Sequence, residues 1–286
     1  MEGGLIIPAV LRASCDGVDE RRAWLDDLPR VIDDLVRRWS LTLGPPFDGD
    51  DVSCSWVAPV ERDATPAVLK LSMPHMEGRD EIAGLQFWNG DPTVRLLDAD
   101  ENVKAMLLER CSGASLRSRP QPQQDEILAR LLRRLWRKPP ASHPFRPLTE
   151  MIEYWIAETM SKPDTWIDAG LVHEGFTVFR AMCRSVDADV LIATDLHAGN
   201  VLSADREPWL VIDPKPFVGD PAYDATQHLL NCRERLRRDP LDTIRRFADL
   251  LEVDSERVRL WLFARLAAGG PMHWSKDSTA LARTLA

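Results

Sequence analysis

Cysteine is scarce and scattered: Cys15, Cys54, Cys111, Cys183 and Cys232 are odd in number and contain no close pair. Such spacing builds neither a disulfide framework nor a zinc site, so a reducing cytoplasm is the default expectation. Long apolar runs are missing as well. Residues 4–11 form a short apolar stretch that contains Pro8 and has no basic segment ahead of it, so neither a signal peptide nor a membrane span is expected. Positive charge is in deficit, with 36 Lys and Arg against 45 Asp and Glu and a net charge of -9. That balance argues against a nucleic-acid binder relying on phosphate attraction, and it suits a cationic partner. A G-x-G-x-x-G phosphate loop is absent too, since residues 47–55 offer only Gly49.

What the chain does have is length and apolar content. Its 286 residues, 44% of them hydrophobic, suffice for one large or two ordinary domains with a real core. In residues 21–39, Trp24, Leu28, Val31, Leu35 and Trp39 recur at three- and four-residue steps, which predicts an amphipathic helix. Residues 39–44, 52–60 and 67–72 read as three strands of an antiparallel meander, separated by turn-forming segments at 45–51 and 63–66. Lys70 falls inside the third strand, where a cation is costly unless paired. The following stretch, 77–88, predicts a helix with Ile82, Leu85 and Trp88 inward, and it offers Glu81 or Glu77 as the partner. Residues 94–97 and 103–108 predict two further strands.

The richest segment runs from Val190 to Lys215. An apolar run leads into Thr194-Asp195-Leu196-His197-Ala198-Gly199-Asn200, and residues 209–212 lead into Asp213. Short buried strands joined by a turn at 205–208 would bring the ends bearing Asp195, Asn200 and Asp213 to one place. An amide oxygen and a carboxylate suit a hard cation, leaving Asp195 beside it as a base. Together with Gly219-Asp220-Pro221-Ala222-Tyr223-Asp224, and with Lys70 and Glu81 upstream, this run resembles the aminoglycoside 6-phosphotransferase (streptomycin kinase) and hydroxyurea phosphotransferase family. The Asp-x-x-x-x-Asn interval with the later Asp also matches protein kinases. One departure is visible: many relatives carry His-Gly before the loop aspartate, where this chain has Ala193-Thr194.

The resemblance implies an α+β, protein-kinase-like, two-lobed fold: an N-terminal antiparallel sheet lobe plus a larger helical C-terminal lobe. It places a β-rich nucleotide lobe with an N-terminal helix at residues 1–110. A mostly helical lobe with the catalytic loop and acceptor site follows at 111–286. It implies ATP and Mg²⁺ as cofactors, with Asp195 catalytic and Asn200 and Asp213 as metal ligands. Lys70 and Glu81 would serve the phosphates, and backbone groups near Glu109 and Cys111 the adenine edge. His197, Asp220 and Asp224 would be supporting residues, although Asp224 by itself could simply cap a helix at 225–235. The implied activity is O-phosphorylation of a small hydroxylated acceptor, most readily a cationic streptomycin-type aminoglycoside, giving antibiotic resistance. Hydroxyurea or another small metabolite is the alternative acceptor. No nucleic-acid or membrane partner is expected.

The rest of the chain reads as helical, with 126–137 turning Ile127, Leu131, Leu132 and Leu135 inward, helices at 148–160 and 166–184, an amphipathic helix at 255–268, and 269–286 irregular. Basic runs at 133–138 and 233–238 alternate with apolar positions and read as solvated helix faces. The acids Glu150, Glu153, Glu158, Asp164, Asp168, Glu174, Asp187 and Asp189 are the candidates for binding an acceptor's cationic groups. Two other classes compete. A metal-dependent phosphohydrolase could use Asp195, His197 and Asp213 but has no need of Lys70 or Glu81. A nucleotide-binding pseudokinase would ordinarily lack one of the groups that are all present here.

Overall fold

The computed structural model describes residues 5–49, 53–185, 189–269 and 275–286. The chain divides into two compact units: Met1–Ala114 with Leu202–Ile212, and Ser115–Val201 with Asp213–Ala286.

The first unit is built on a five-stranded antiparallel sheet, β1 (Leu41–Leu43), β2 (Ser55–Arg62), β3 (Thr65–Ser72), β4 (Leu96–Asp100) and β5 (Ala105–Glu109), in the order β1-β2-β3-β5-β4. The meander and β5 are therefore close to where they were predicted, whereas β4 begins two residues later than the expected 94–97 and pairs with β5 through residues 98–100. Period-two geometry then assigns the faces. Ala67, Leu69 and Leu71 of β3, with Ala105 and Leu107 of β5, pack against the helices α1 (Ala9–Cys15) and α2 (Asp19–Arg38) through Leu11, Cys15, Leu28, Ile32 and Leu35. The opposite face carries Val68, Met106 and Leu108 and meets Ile82 and Leu85 of α3 (Glu81–Trp88). Lys70, one step from Leu69 and Leu71 and opposite Met106, is thereby turned toward α3. The predicted helix at 77–88 begins instead as a 3-10 turn, Glu77–Asp80, and becomes α-helical only from Glu81. Asn89 ends it in the left-handed conformation at φ 48, which asparagine tolerates better than most side chains. The returning segment adds Leu210 to the same apolar cluster, and Val94 and Val211 are joined by a 3.0 Å backbone hydrogen bond.

The second unit is helical: α4 (Gln121–Leu135), α5 (Leu148–Met160), α6 (Ala169–Arg184), α7 (Pro221–Leu230), α8 (Arg233–Arg238), α9 (Pro240–Leu251), α10 (Ser255–Ala268) and α11 (Lys276–Leu285). Helix α10 is its axis, buried from Trp261 through Ala268 without a polar face, the pattern of a helix enclosed on all sides. Gly175 of α6 makes that enclosure possible, because a Cβ there would come within 2.8 Å of the Ala268 Cβ. Strands Val190–Ile192 and Phe217–Gly219 pair antiparallel and frame the segments before Asp195 and after Asp213.

Three sequence expectations are corrected. Residues 276–285, expected to be irregular, form α11, capped by Ser275 and anchored by buried Leu281, Ala282 and Leu285. The helix expected at 225–235 is α7, starting at Pro221, so Asp220 and not Asp224 is its N-cap. Pro fits the first helical position, where its missing N–H costs nothing. Ile127 of α4 is only half-buried, and Leu128 and Ala129 take the inward positions with Leu131, Leu132 and Leu135. The expected nucleotide loop at 47–55 and the acid Asp187 lie partly or wholly outside the described residues. Among the described residues, no helix is long and apolar enough to cross a membrane.

Candidate active site

In the first unit, Lys70 and Glu81 meet. Lys70 Nζ donates to Glu81 Oε1 at 2.5 Å, and Ser72 Oγ donates to Glu81 Oε2 at 3.3 Å. Both charges are out of solvent, with Lys70 at 4% and Glu81 at 1% exposure. Such a pair is tolerable only because each charge has its partner in contact. Glu81 fills this role.

Glu109 ends β5. Its amide donates to the Arg95 carbonyl at 2.9 Å, and its carboxylate takes Arg206 Nε at 3.0 Å, Arg206 Nη2 at 2.9 Å and the Arg95 amide at 3.0 Å. Burial pushes its pKa up, yet the Arg206 and Arg95 hydrogen bonds and charges outweigh it and hold the carboxyl below its ordinary value. Arg206 comes from the returning segment and had been read simply as part of a turn. The Cys111 thiol is pushed up to about 11 by burial and then by the Glu109 charge, so it is a neutral thiol near pH 7 and no nucleophile.

In the second unit, the residues around Asp195 are held from several directions. Asp224, fully buried, accepts from the Ala193 amide at 2.9 Å, the Thr194 amide at 2.7 Å and the Trp136 indole at 3.0 Å. It therefore grips the two residues ahead of Asp195. Thr194 sits at φ 50, a region where glycine is at ease and a β-branched residue is strained. Here the threonine is retained by two bonds, its amide to Asp224 and its hydroxyl to the Lys215 carbonyl at 2.7 Å. Lys215 returns a third tie through its amide to the Ala193 carbonyl at 2.9 Å.

Beyond Asp195, Asn200 Nδ2 donates to the Asp195 carbonyl at 3.0 Å, which closes the loop over its five-residue interval. His197 Nδ1 accepts from the Gly199 amide at 2.9 Å, so it folds the loop onto itself. Ser115 Oγ donates to the Ala198 carbonyl at 2.9 Å. A Cβ at Gly199 would lie 2.5 Å from Arg117 Nη2, so a larger residue there would displace the guanidinium. Asp213 also has a left-handed backbone at φ 53, and its Oδ1 accepts a hydrogen bond from Lys215 Nζ. Asp220 serves the scaffold: it caps α7 through the Ala222 amide at 2.9 Å and accepts from Trp261 Nε1 at 2.7 Å and Arg257 Nη2 at 2.5 Å.

The Asp195 side chain has a partner that sequence reasoning missed. Gln227 Nε2 donates to Asp195 Oδ1 at 2.7 Å. Asp224 and Gln227 stand three apart on α7, the spacing that places two side chains on one helix face.

Asp224 gives a pH prediction. Burial pushes its pKa up to about 6, against the hydrogen bonds from Ala193, Trp136 and Thr194 and the Arg265 charge, which pull it down. Between the ordinary carboxyl value of 3.8 and about 6, folding therefore takes up a proton at this site. The stability so contributed is complete below the lower value and is lost as pH rises through the higher one. Asp224→Asn removes that component. Urea unfolding from pH 4 to 7 should then show a pH slope more positive than wild type, by roughly 1 kcal/mol per pH unit; identical slopes would show that Asp224 does not titrate there.

A separate buried cluster joins Asp125, His228 and Cys232, whose candidate ligand atoms lie within 4.8 Å of one another. Arg235 bonds both Asp125 oxygens, at 3.0 and 2.7 Å, and His228 Nε2 lies 2.6 Å from Asp125 Oδ1. The Cys232 thiol is pushed up to about 12, chiefly by burial. A cation there would face a guanidinium and a protonated thiol, so the cluster serves as an ion-pair tie between α4, α7 and α8.

Of the acids considered for acceptor binding, Glu150 is paired with Arg146, Glu153 with Arg180, Glu158 with Lys162 and Asp168 with Arg283. Their charges are already answered within the chain.

Comparison with known proteins places the chain in a family. The family model described as aminoglycoside/hydroxyurea antibiotic resistance kinase matches residues 38–277. The chain is 37% identical to streptomycin 6-kinase of Streptomyces griseus, over 88% of this chain and 85% of that one. It is 34% identical to hydroxyurea phosphotransferase of Kitasatospora aureofaciens, over 86% and 73%. Among solved structures, a choline kinase from Streptococcus pneumoniae shares the fold at TM-score 0.61 and 13% identity, over 90% of this chain and 97% of that one. The α+β, protein-kinase-like fold is thus shared well beyond detectable sequence identity. The chain belongs to the aminoglycoside/hydroxyurea antibiotic resistance kinase family.

Proposed function

We propose that the protein transfers the γ-phosphoryl group of ATP to a hydroxyl of a streptomycin-type aminoglycoside and thereby confers resistance. The observation that carries this reading is the loop from Ala193 to Asn200. Its backbone is fixed by Asp224 ahead of Asp195 and by Asn200 behind it, the rigidity that a positioned base requires. Asp195 accepts the hydrogen bond of the acceptor hydroxyl and takes its proton as the oxygen bonds to phosphorus and the bond to ADP breaks. Positioning and charge neutralisation do most of the work, because the transition state of phosphoryl transfer is loose.

The donor set fits Mg²⁺: the Asn200 amide nitrogen is spent on the Asp195 carbonyl, which leaves its oxygen as the ligand atom, and Asp213 supplies a carboxylate. When bound, that ion neutralises phosphate charge. Lys70, oriented by Glu81, serves the phosphates. With the Glu109 amide committed to Arg95, the adenine edge falls to the Glu109 carbonyl and the Cys111 backbone. His197, Asp220 and Asp224 support the loop and the helix behind it. The net charge of -9 favours a cationic acceptor, and the relationship to hydroxyurea phosphotransferase makes hydroxyurea the second acceptor to test.

The test incubates the purified protein with ATP and Mg²⁺ and, separately, streptomycin, other aminoglycosides and hydroxyurea, followed by mass spectrometry of each acceptor. Streptomycin should gain one phosphoryl group. Modification of hydroxyurea alone would transfer the assignment to the second acceptor, and ADP release with every acceptor unmodified would sink both.

A further inference from the structure

Arg265 is the least expected charge in the second unit. It lies on α10 among Leu262, Phe263, Ala264 and Leu266, and it is 4% exposed. A buried guanidinium ordinarily bonds a carboxylate, since an uncompensated charge out of water is costly. Arg265 instead bonds two neutral groups of α7. Its Nη1 donates to Thr226 Oγ1 at 2.7 Å, and its Nη2 donates to Gln227 Oε1 at 2.6 Å. The guanidinium carbon lies 5.1 Å from the Tyr223 ring centroid and 5.5 Å from that of Trp155, so aromatic faces stabilise it further.

The chemistry of these groups fixes the direction of the chain of bonds. A guanidinium only donates, so the Gln227 oxygen must face Arg265. The Gln227 amino group then faces Asp195 Oδ1 at 2.7 Å, and an ionised carboxylate only accepts. The amide is therefore an adapter between a buried cation and a carboxylate that do not touch. Arg265 also acts on Asp224, whose carboxyl feels its charge. One arginine thus stands behind both the carboxylate that grips the backbone ahead of Asp195 and the glutamine that grips the Asp195 side chain.

We propose that Gln227 and Arg265 are positioning residues for phosphoryl transfer: Arg265 locks the Gln227 amide, and Gln227 holds the Asp195 carboxylate by Oδ1. This deepens the reading of Asp195 as the base and rests on it. Gln227→Glu and Gln227→Met separate the role from folding. The glutamate keeps the side-chain shape and bonds Arg265 more strongly, but it turns an acceptor toward Asp195; the methionine keeps the length and removes both bonds.

The experiment measures ADP formation from ATP and Mg²⁺, with streptomycin and with water alone as acceptor, alongside thermal melting. Both variants should lower kcat by about 10- to 100-fold, the size of a small misplacement of a catalytic group, while the KM for ATP stays within about twofold. Asp195→Asn is measured in parallel, and Gln227→Met should change kcat by less than about twofold in that background, because coupled residues are non-additive. A Gln227→Glu protein that melts like wild type and keeps kcat within about twofold overturns the relay. So does a full loss from Gln227→Met on top of Asp195→Asn. If Asp195→Asn itself turns over like wild type, the reading of Asp195 as base fails; if it is crippled while the Gln227 variants are not, only the relay fails.

Discussion

Asp195→Asn should lower kcat roughly 10²- to 10⁴-fold, the usual contribution of a positioned general base, with little change in stability or in the KM for ATP. The substitution is informative because the Gln227 contact tolerates an asparagine. Gln227 Nε2, which reaches Asp195 Oδ1 at 2.7 Å, can donate equally to an amide oxygen. The backbone ties from Asp224 and Asn200 do not involve the side chain at all. What changes is the second atom of the fork, which becomes an NH₂ group that cannot accept a proton. A fall in kcat with unchanged melting and unchanged ATP KM would mark an interaction made only in the transition state. A kcat within about threefold of wild type would remove Asp195 from the chemistry, since that corresponds to less than about 1 kcal/mol of barrier.

Much of this site could be read from the sequence because its chemistry is local. The Asp195 to Asn200 interval spans one turn of chain closed by a single hydrogen bond, and Asp213 follows the next apolar run. Lys70 and Glu81 were legible through the resemblance: a lysine in an apolar strand could equally reach water from an edge and Glu77 competed as partner, whereas the kinase-like pattern selected the pair that forms. The extents of α5 and α10 matched the helices expected there, although α10, expected to be amphipathic, is buried all round from Trp261 to Ala268.

The residues that escaped are those whose roles depend on distant chain. Gln227 is 32 residues from Asp195 and Arg265 is 38 from Gln227, so no window could join them. Arg206 looked like a turn residue until the returning segment brought it to Glu109, 97 residues away. The left-handed backbone of Thr194 has no signature in its own side chain. The Asp220-Pro221 start of α7 was legible in principle, because an N-cap aspartate followed by proline is a helix-start signal. It lost to the later aspartate, Asp224, whose burial is a tertiary fact.

Glu81→Ala should cost about 3–5 kcal/mol of stability, the typical result of removing one partner of a buried ion pair. Glu81 contacts both Lys70, at 2.5 Å, and Ser72, at 3.3 Å. Its loss removes the contact acid of a lysine that the register of β3 holds on the sheet face shared with Met106 and Leu108. Lys70→Met is the control, because methionine fills much the same volume without a charge, although it leaves the Glu81 carboxylate with Ser72 alone. The double variant Lys70→Met/Glu81→Leu replaces the pair by apolar side chains and should recover most of the lost stability, since well-packed apolar replacements of buried pairs are commonly neutral or stabilising. Phosphotransfer should not recover with it. If Lys70 serves the phosphates, the double variant is a stable protein with little activity, and urea unfolding and ADP release will part company. A double variant that is both stable and active would reduce the pair to a packing element. One that stays as unstable as Glu81→Ala would mean that α3 is held against the sheet by the ion pair itself and not by Ile82 and Leu85.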